Sequence, residues 1–250
     1  MRVTRVFVDM ALASGAQLAL PDGPARHLAR VLRLGAGDAL RLFNGRGGEF
    51  EAVIDSVRRD EVSVRVGAHD DVERESPLRI VLLQGIARGE KMDLILQKAT
   101  ELGAYCFVPV KMARSTVRLD ERTALARQQH WQAVVASACE QSGRNAVPGV
   151  AAPATLEQCL GQASGLRLLL APGADSQSLS ALLAGVTSAG HLPERVELLV
   201  GPEGGFDSAE TEAALAAGFQ SCRLGPRVLR TETAGLAALA ALQSLAGDFR

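Results

Sequence analysis

The sequence predicts an α/β protein preceded by a β-rich region, and three observations lead there. From residue 77 onwards, short apolar runs alternate with amphipathic or Ala/Leu-rich stretches, the pattern of strands and helices built around a mostly parallel sheet. Before residue 72, apolar and polar residues alternate with period two. Near the C-terminus, two apolar runs each lead through a Gly/Pro loop into a helix: Leu198 to Glu210, and Leu224 to Ala234. In open α/β sheets ligands bind at such junctions.

The N-terminal elements follow in order. Arg2 to Val8 reads as a strand. Pro24 to Leu34 reads as a short helix whose Arg26, Arg30 and Arg33 share a face by their three- and four-residue spacing. Asp38 to Phe43 and Phe50 to Ile54 flank Asn44-Gly45-Arg46-Gly47-Gly48, and Asn-Gly between such runs is a strong hairpin signal. Glu61 to Val66 alternates as a further strand, so the region suggests a small β-barrel. The charged, aperiodic stretch Gly67 to Pro77 is the boundary, which gives domains of 1–72 and 77–250.

In the second domain, Leu78 to Gln84, Cys106 to Val110, Leu166 to Leu170, Val196 to Val200 and Ser221 to Leu224 read as strands. Lys91 to Leu102 is a helix ended by Gly103 in the usual C′ position. Thr123 to Ser142, Ser208 to Ala217 and Thr233 to Leu245 are further helices, and Ser178 to Leu183 is helix-capable.

Composition narrows the function classes. The chain has 250 residues, 47% hydrophobic and 22% charged, with a formal net charge of −1. Nucleic-acid binding must then rest on a local patch. The cysteines Cys106, Cys139, Cys159 and Cys222 and the histidines His27, His69, His130 and His191 are scattered without metal-ligand spacing, so no metal is expected and the thiols read as reduced. The opening residues carry no apolar signal core and no run reaches membrane-spanning length, which predicts a cytoplasmic protein with no membrane partner. Trp131 and Tyr105 are the only Trp and Tyr, so extensive base stacking is not expected.

The loop Gly201-Pro202-Glu203-Gly204-Gly205 lets backbone approach a ligand closely. It is neither a Walker loop nor Gly-x-Gly-x-x-Gly, and alone it could be a plain tight connection. The second loop, Gly225-Pro226 through Leu229-Arg230-Thr231-Glu232-Thr233-Ala234, makes a ligand site the stronger reading. Thr231 fits an N-cap, and Glu232 in the following turn fits the helix dipole as well as a chemical role. Arg230 has no such helix-end role. On the intervening helix, Lys98 and Glu101 share a face and suit a surface ion pair as well as an RNA contact. Glu140 and Arg144 are spaced for a helix-end salt bridge, and the polar run before Pro148 suggests a site wall or dimer seam.

These segments closely resemble the signature loops of the SPOUT methyltransferase superfamily, and within it the ribosomal RNA small subunit methyltransferase E family. Gln97-Lys98-Ala99-Thr100-Glu101-Leu102-Gly103, Glu140-Gln141-Ser142-Gly143-Arg144 with Val147-Pro148, and Val31-Leu32-Arg33-Leu34 with Gly37-Asp38 are similar to other motifs of that family, so the likeness spans almost the whole chain. The resemblance implies a PUA-like RNA-binding β-barrel, then a SPOUT α/β domain with a deep trefoil knot, an exception to the rule that chains do not thread loops. It further implies a homodimer that uses S-adenosyl-L-methionine to methylate N3 of a uridine in 16S rRNA, free or in the 30S subunit.

Carried over by residue, the resemblance places the cofactor against Leu199, Val200, Gly201, Pro202, Glu203, Gly204, Gly205, Leu224, Gly225, Val228, Leu229, Arg230, Thr231, Thr233 and Ala234. The reaction needs a cation where negative charge develops, and Arg230 is the first choice, with Arg5 and Arg144 behind it; Glu232 or water would take the proton. Arg5, Arg26, Arg30, Arg33, Arg46, Lys91, Lys98 and Arg114 are the expected RNA contacts. Two rivals remain: a SPOUT enzyme acting on a ribose 2′-hydroxyl, and a non-catalytic RNA-binding module.

Overall fold

The computed structural model describes residues 3–161, 165–171, 173, 176–188 and 194–249, so Arg2 and His191 lie outside the described residues. The chain forms two compact units. The first comprises residues 1–75 together with 136–147, and the second 76–135 with 148–250.

In the first unit, β1 (Thr4–Phe7), β2 (Gln17–Ala19), β3 (Ala39–Phe43), β4 (Glu49–Arg58) and β5 (Glu61–Asp70) form a sheet in the order β1-β3-β4-β5-β2. Only β1 and β3 run parallel. The period-two alternation of β4 and β5 turns Ala52, Ile54, Val62, Val64 and Val66 inward, where they pack with Val6, Leu28 and Leu42. The expected single helix over 24–34 is instead α1 (Asp22–Arg26) followed by a π-helical turn, His27–Val31, in which the Leu32 amide donates to the His27 carbonyl. The wider turn ends the helix early. Arg33 falls outside it at φ +55°, so it does not share a helical face with Arg26 and Arg30.

In the second unit, β6 (Arg79–Gly85), β7 (Ala104–Lys111), β8 (Gly149–Val150), β9 (Ala154–Thr155), β10 (Leu166–Leu170), β11 (Gln177–Ser178), β12 (Arg195–Val200) and β13 (Gln220–Arg223) form one sheet. Its order is β11-β13-β10-β12-β6-β7-β8, with β9 also on β7, and every pairing is parallel. Strands of such a sheet are covered on both faces, which is why β6, β10 and β12 are nearly uninterrupted apolar runs. The helices are α2 (Glu90–Glu101), α3 (Glu121–Ser142), α4 (Leu156–Leu160), α5 (Leu179–Ser188), α6 (Ser208–Ala216) and α7 (Thr231–Ala246).

β13 lies beyond β10, yet the helix that follows it packs against α2, β6 and β12. The chain therefore recrosses the sheet between residues 224 and 230, the path that the expected knot requires. Gln243 anchors the far end of α7: its amide donates to the Leu102 and Gly103 carbonyls, each at 3.2 Å, and accepts from Ser76 Oγ at 2.7 Å. Gly103 has φ +83°, as a C′ glycine should. Among the described residues no helix is long and apolar enough to cross a membrane.

Candidate functional site

β10, β12 and β13 are adjacent and parallel, so their carboxyl ends open on the same side. After β12 the chain turns at Pro202 to Gly205, where the Gly205 amide donates to the Pro202 carbonyl at 2.9 Å and Gly205 takes φ +68°. α6 then starts on a capping box: the Asp207 side chain accepts the Glu210 amide, and Glu210 accepts the Asp207 amide. The end of β6 presses against this loop. A Cβ on Gly85 would lie 2.6 Å from Pro202, so only glycine fits there.

After β13, the loop 224–230 leads into α7. Thr231 is not the N-cap. Arg230 holds that position, and its carbonyl accepts the Thr233 and Ala234 amides at 2.9 and 2.8 Å. Thr231 is the first helical residue, and its buried hydroxyl donates to the Gly201 carbonyl at 2.6 Å while accepting from Gln84 Nε2 at 3.0 Å. One side chain thus fastens both loops to the end of β6.

Between the loops lies a cleft of about 670 Å³, within the range of small-molecule sites. Of the residues expected at the cofactor, Val200, Gly201, Pro202, Glu203, Gly205, Val228, Leu229, Arg230, Thr231 and Ala234 line it, as does Glu232. Leu224 and Gly225 instead line a small cavity of about 60 Å³ that shares Leu170, Leu229 and Ala234 with the cleft. Leu199 packs into the core, Gly204 packs against Arg114, and Thr233 points outward on α7. The sequence reading missed the third wall: Leu170, Ala171, Gly173 and Ser176 after β10, with Phe206 and Ser221. Its signal was Pro172-Gly173 directly after an apolar strand, the same strand-to-loop pattern as the other two junctions.

Among the described residues, the charged ones that line the cleft are Lys91, Glu203, Arg230 and Glu232. Lys91 Nζ is 3.5 Å from Glu203 and 3.4 Å from Glu232. Burial pushes the Glu203 carboxyl up, but the Arg88 amide, its own amide and Lys91 together outweigh this and hold it below the ordinary carboxylate range. Arg230 is exposed, and its side chain has no ion pair or hydrogen bond among the described residues. Burial pushes the Cys106 thiol up, Cys139 to about 12 and Cys159 and Cys222 to about 11, and no cysteine lines the cleft among the described residues. Among the described residues no group of three His, Cys, Asp or Glu is arranged to hold a metal ion.

Other expected functional residues have structural work. The Arg5 side chain is buried in the first unit, paired with Glu49, stacked over Phe43 and donating to Asn145 Oδ1 at 2.6 Å. Arg144 lies beyond the end of α3 and pairs with Glu75 rather than Glu140, whose Oε1 accepts the Phe7 amide at 2.9 Å. Arg144 and Asn145 are thus buried inside the first unit. Arg30 makes a two-pronged pair with Asp60, Lys98 pairs with Glu101 at 2.8 Å, and Arg114 donates to the Gly204 carbonyl at 3.3 Å. Arg26 and Arg46 remain exposed, as does Arg33. Trp131 is buried, which removes it from any base-stacking role.

Comparison with known proteins identifies the frame. Residues 74–243 match an RNA methyltransferase domain, and residues 20–67 match an RNA methyltransferase PUA domain. The chain is 35% identical to ribosomal RNA small subunit methyltransferase E of Bacillus subtilis over 218 residues, 86% of this chain and 85% of that one. Two solved structures superpose with a TM-score of 0.93 at 37% identity. One is a putative methyltransferase from Legionella pneumophila with bound cofactor SAM, covering 99% of this chain and 100% of the other. The second is ribosomal RNA small subunit methyltransferase E from Neisseria gonorrhoeae bound to S-adenosyl methionine, covering 100% of both. With the two loops, the cleft between them and these matches along its whole length, the chain belongs to the ribosomal RNA small subunit methyltransferase E family.

Proposed function

We propose that this protein transfers a methyl group from S-adenosyl-L-methionine to N3 of a uridine in 16S ribosomal RNA. The observation that carries the reading is the cleft at the carboxyl ends of β10, β12 and β13, in a chain 37% identical over its full length to a methyltransferase with S-adenosyl methionine bound. The residues present fit that molecule. Gly201 and Gly205 bring backbone to the cleft with no side chain in the way, Leu170, Val200, Phe206 and Leu229 give apolar walls, and Glu203 and Glu232 give acceptors. When bound, the cofactor supplies an electrophilic sulfonium methyl.

The chain's own part is to prepare the acceptor. Uridine N3 carries a proton at neutral pH, and its loss spreads negative charge over O2 and O4. A fixed cation at that charge lowers the barrier, and Arg230 is the cleft arginine whose guanidinium is uncommitted. The proton passes to Glu232 or to water. Arg26, Arg33 and Arg46 of the first unit are the proposed phosphate contacts, being exposed and in no ion pair among the described residues. The proposed working form is a cytoplasmic homodimer, and a monomer mass by light scattering would remove that part.

Labelled S-adenosylmethionine is to be incubated with the protein and with 30S subunits, free 16S RNA and tRNA, and the modified nucleoside identified after digestion. N3-methyluridine in 16S RNA is the expected product. Label on a ribose hydroxyl would sink the assignment, and absence of transfer to every RNA would leave only a binding module. In the same assay Arg230→Ala is expected to lower transfer about a hundredfold, the usual size for removing one charge-stabilising donor, with cofactor affinity nearly unchanged. Equal losses in both would make Arg230 a cofactor ligand.

A further inference from the structure

Lys91 lies in the first turn of α2, yet its ammonium faces carboxylates from both loop junctions: Glu203 ahead of α6 and Glu232 at the start of α7. Three elements that are distant in sequence are therefore joined by a single charge at the cleft. Both separations exceed a direct charged hydrogen bond, so the attraction is electrostatic and fixes position without locking one geometry. The two carboxylates differ in what else holds them. Glu203 Oε1 already accepts the Arg88 amide at 3.0 Å. Glu232 Oε2 is inaccessible to solvent and accepts no hydrogen bond among the described residues, although its residue lines the cleft. A shielded carboxylate oxygen without a hydrogen bond is costly, and the Lys91 ammonium beside it offsets that cost.

Resting on the function proposed above, we infer that Lys91 is a positioning residue of the methyl-donor pocket and not an RNA contact. It holds Glu232 at the cleft so that its carboxylate accepts a donor group of the bound nucleoside cofactor, a hydroxyl or an ammonium, and it ties the two loops across the opening. Glu232 then belongs to the cofactor, and the N3 proton leaves to water.

The test is titration calorimetry of S-adenosylmethionine, and separately of a 16S RNA fragment, on the full chain and on Lys91→Met, Lys91→Arg, Glu232→Gln and the Lys91→Met/Glu232→Gln double variant. Lys91→Met is expected to weaken the cofactor about fivefold, the scale of a half-shielded ion pair, and to leave RNA affinity as it was. Lys91→Arg should recover most of the loss. The double variant should lose less than the two single losses combined, because both remove one interaction. In steady-state transfer the damage should fall on KM for the methyl donor more than on kcat. Lost RNA affinity with intact cofactor affinity would overturn the inference, as would additive losses. An unaltered chain that binds no S-adenosylmethionine fails one step earlier and overturns the function itself.

Discussion

The Thr231 hydroxyl has one proton to give and lone pairs to receive with, and it uses both: it donates to Gly201 and accepts from Gln84. Gln84 and Thr231 are buried, so water cannot replace either partner. Replacing the hydroxyl by a methyl of similar shape leaves the Gly201 carbonyl and one Gln84 N–H without their partner. Thr231→Val is therefore expected to cost about 1–3 kcal/mol, read by urea denaturation. It should also loosen the cofactor, because the same oxygen joins both loops. A variant as stable as the parent, with unchanged cofactor affinity, would show that the loops are held by packing alone. The sequence presented Thr231 as an N-cap because Thr before Glu is a common helix start, but a one-residue shift in the boundary turns a local cap into a long-range tie.

At the scale of elements, the strand-to-loop junctions decide the cleft, and their tightness is set by β6. The carboxyl end of β6 meets Pro202 so closely that a Cβ on Gly85 would sit 2.6 Å from Pro202 N and Cδ. Gly85→Ala must push the loop away, and the expected cost is about 1–3 kcal/mol with a cofactor affinity at least tenfold lower. Gly149→Ala is the control, since a Cβ there meets nothing within 4 Å; equal behaviour of the two variants would refute the crowding argument. The buried parallel strands were legible in sequence because both of their faces are covered, which makes Leu166 to Leu170 and Val196 to Val200 apolar runs broken only by Arg167 and Glu197, a pair 2.7 Å apart. β8, β9 and β11 were not, because two residues carry no periodicity. The two Gly/Pro loops were equally plain in sequence. What closes them was not: the Lys91 bridge, the Gln84 amide and the third wall after β10 all depend on contacts between distant segments.

At the scale of the whole molecule, residues 136–147 join the first unit although the rest of α3 belongs to the second. The tie is polar. Phe7 donates its amide to Glu140, Asn145 donates to the Val72 carbonyl at 3.1 Å, and Arg144 pairs with Glu75. Burying Glu140 is unfavourable for its charged form, and that desolvation outweighs the Phe7 amide, His27 and Arg5, which act the other way, so its carboxyl lies above the ordinary range. A folded-state value raised above the unfolded one means that folding prefers the protonated acid. The contribution to stability is then fully present below the unfolded value and is lost as pH rises through the folded one. Glu140→Gln keeps an oxygen for the Phe7 amide and removes the charge, so it should stabilise the protein at neutral pH. The gain should vanish in acid, where the native residue is itself uncharged. Denaturant midpoints of both proteins across that range, with hydrogen exchange of the Phe7 amide as the local reporter, measure the difference. If Glu140→Gln is instead less stable at neutral pH and equal in acid, the attraction of Arg5 and His27 for the ionised carboxylate outweighs its burial.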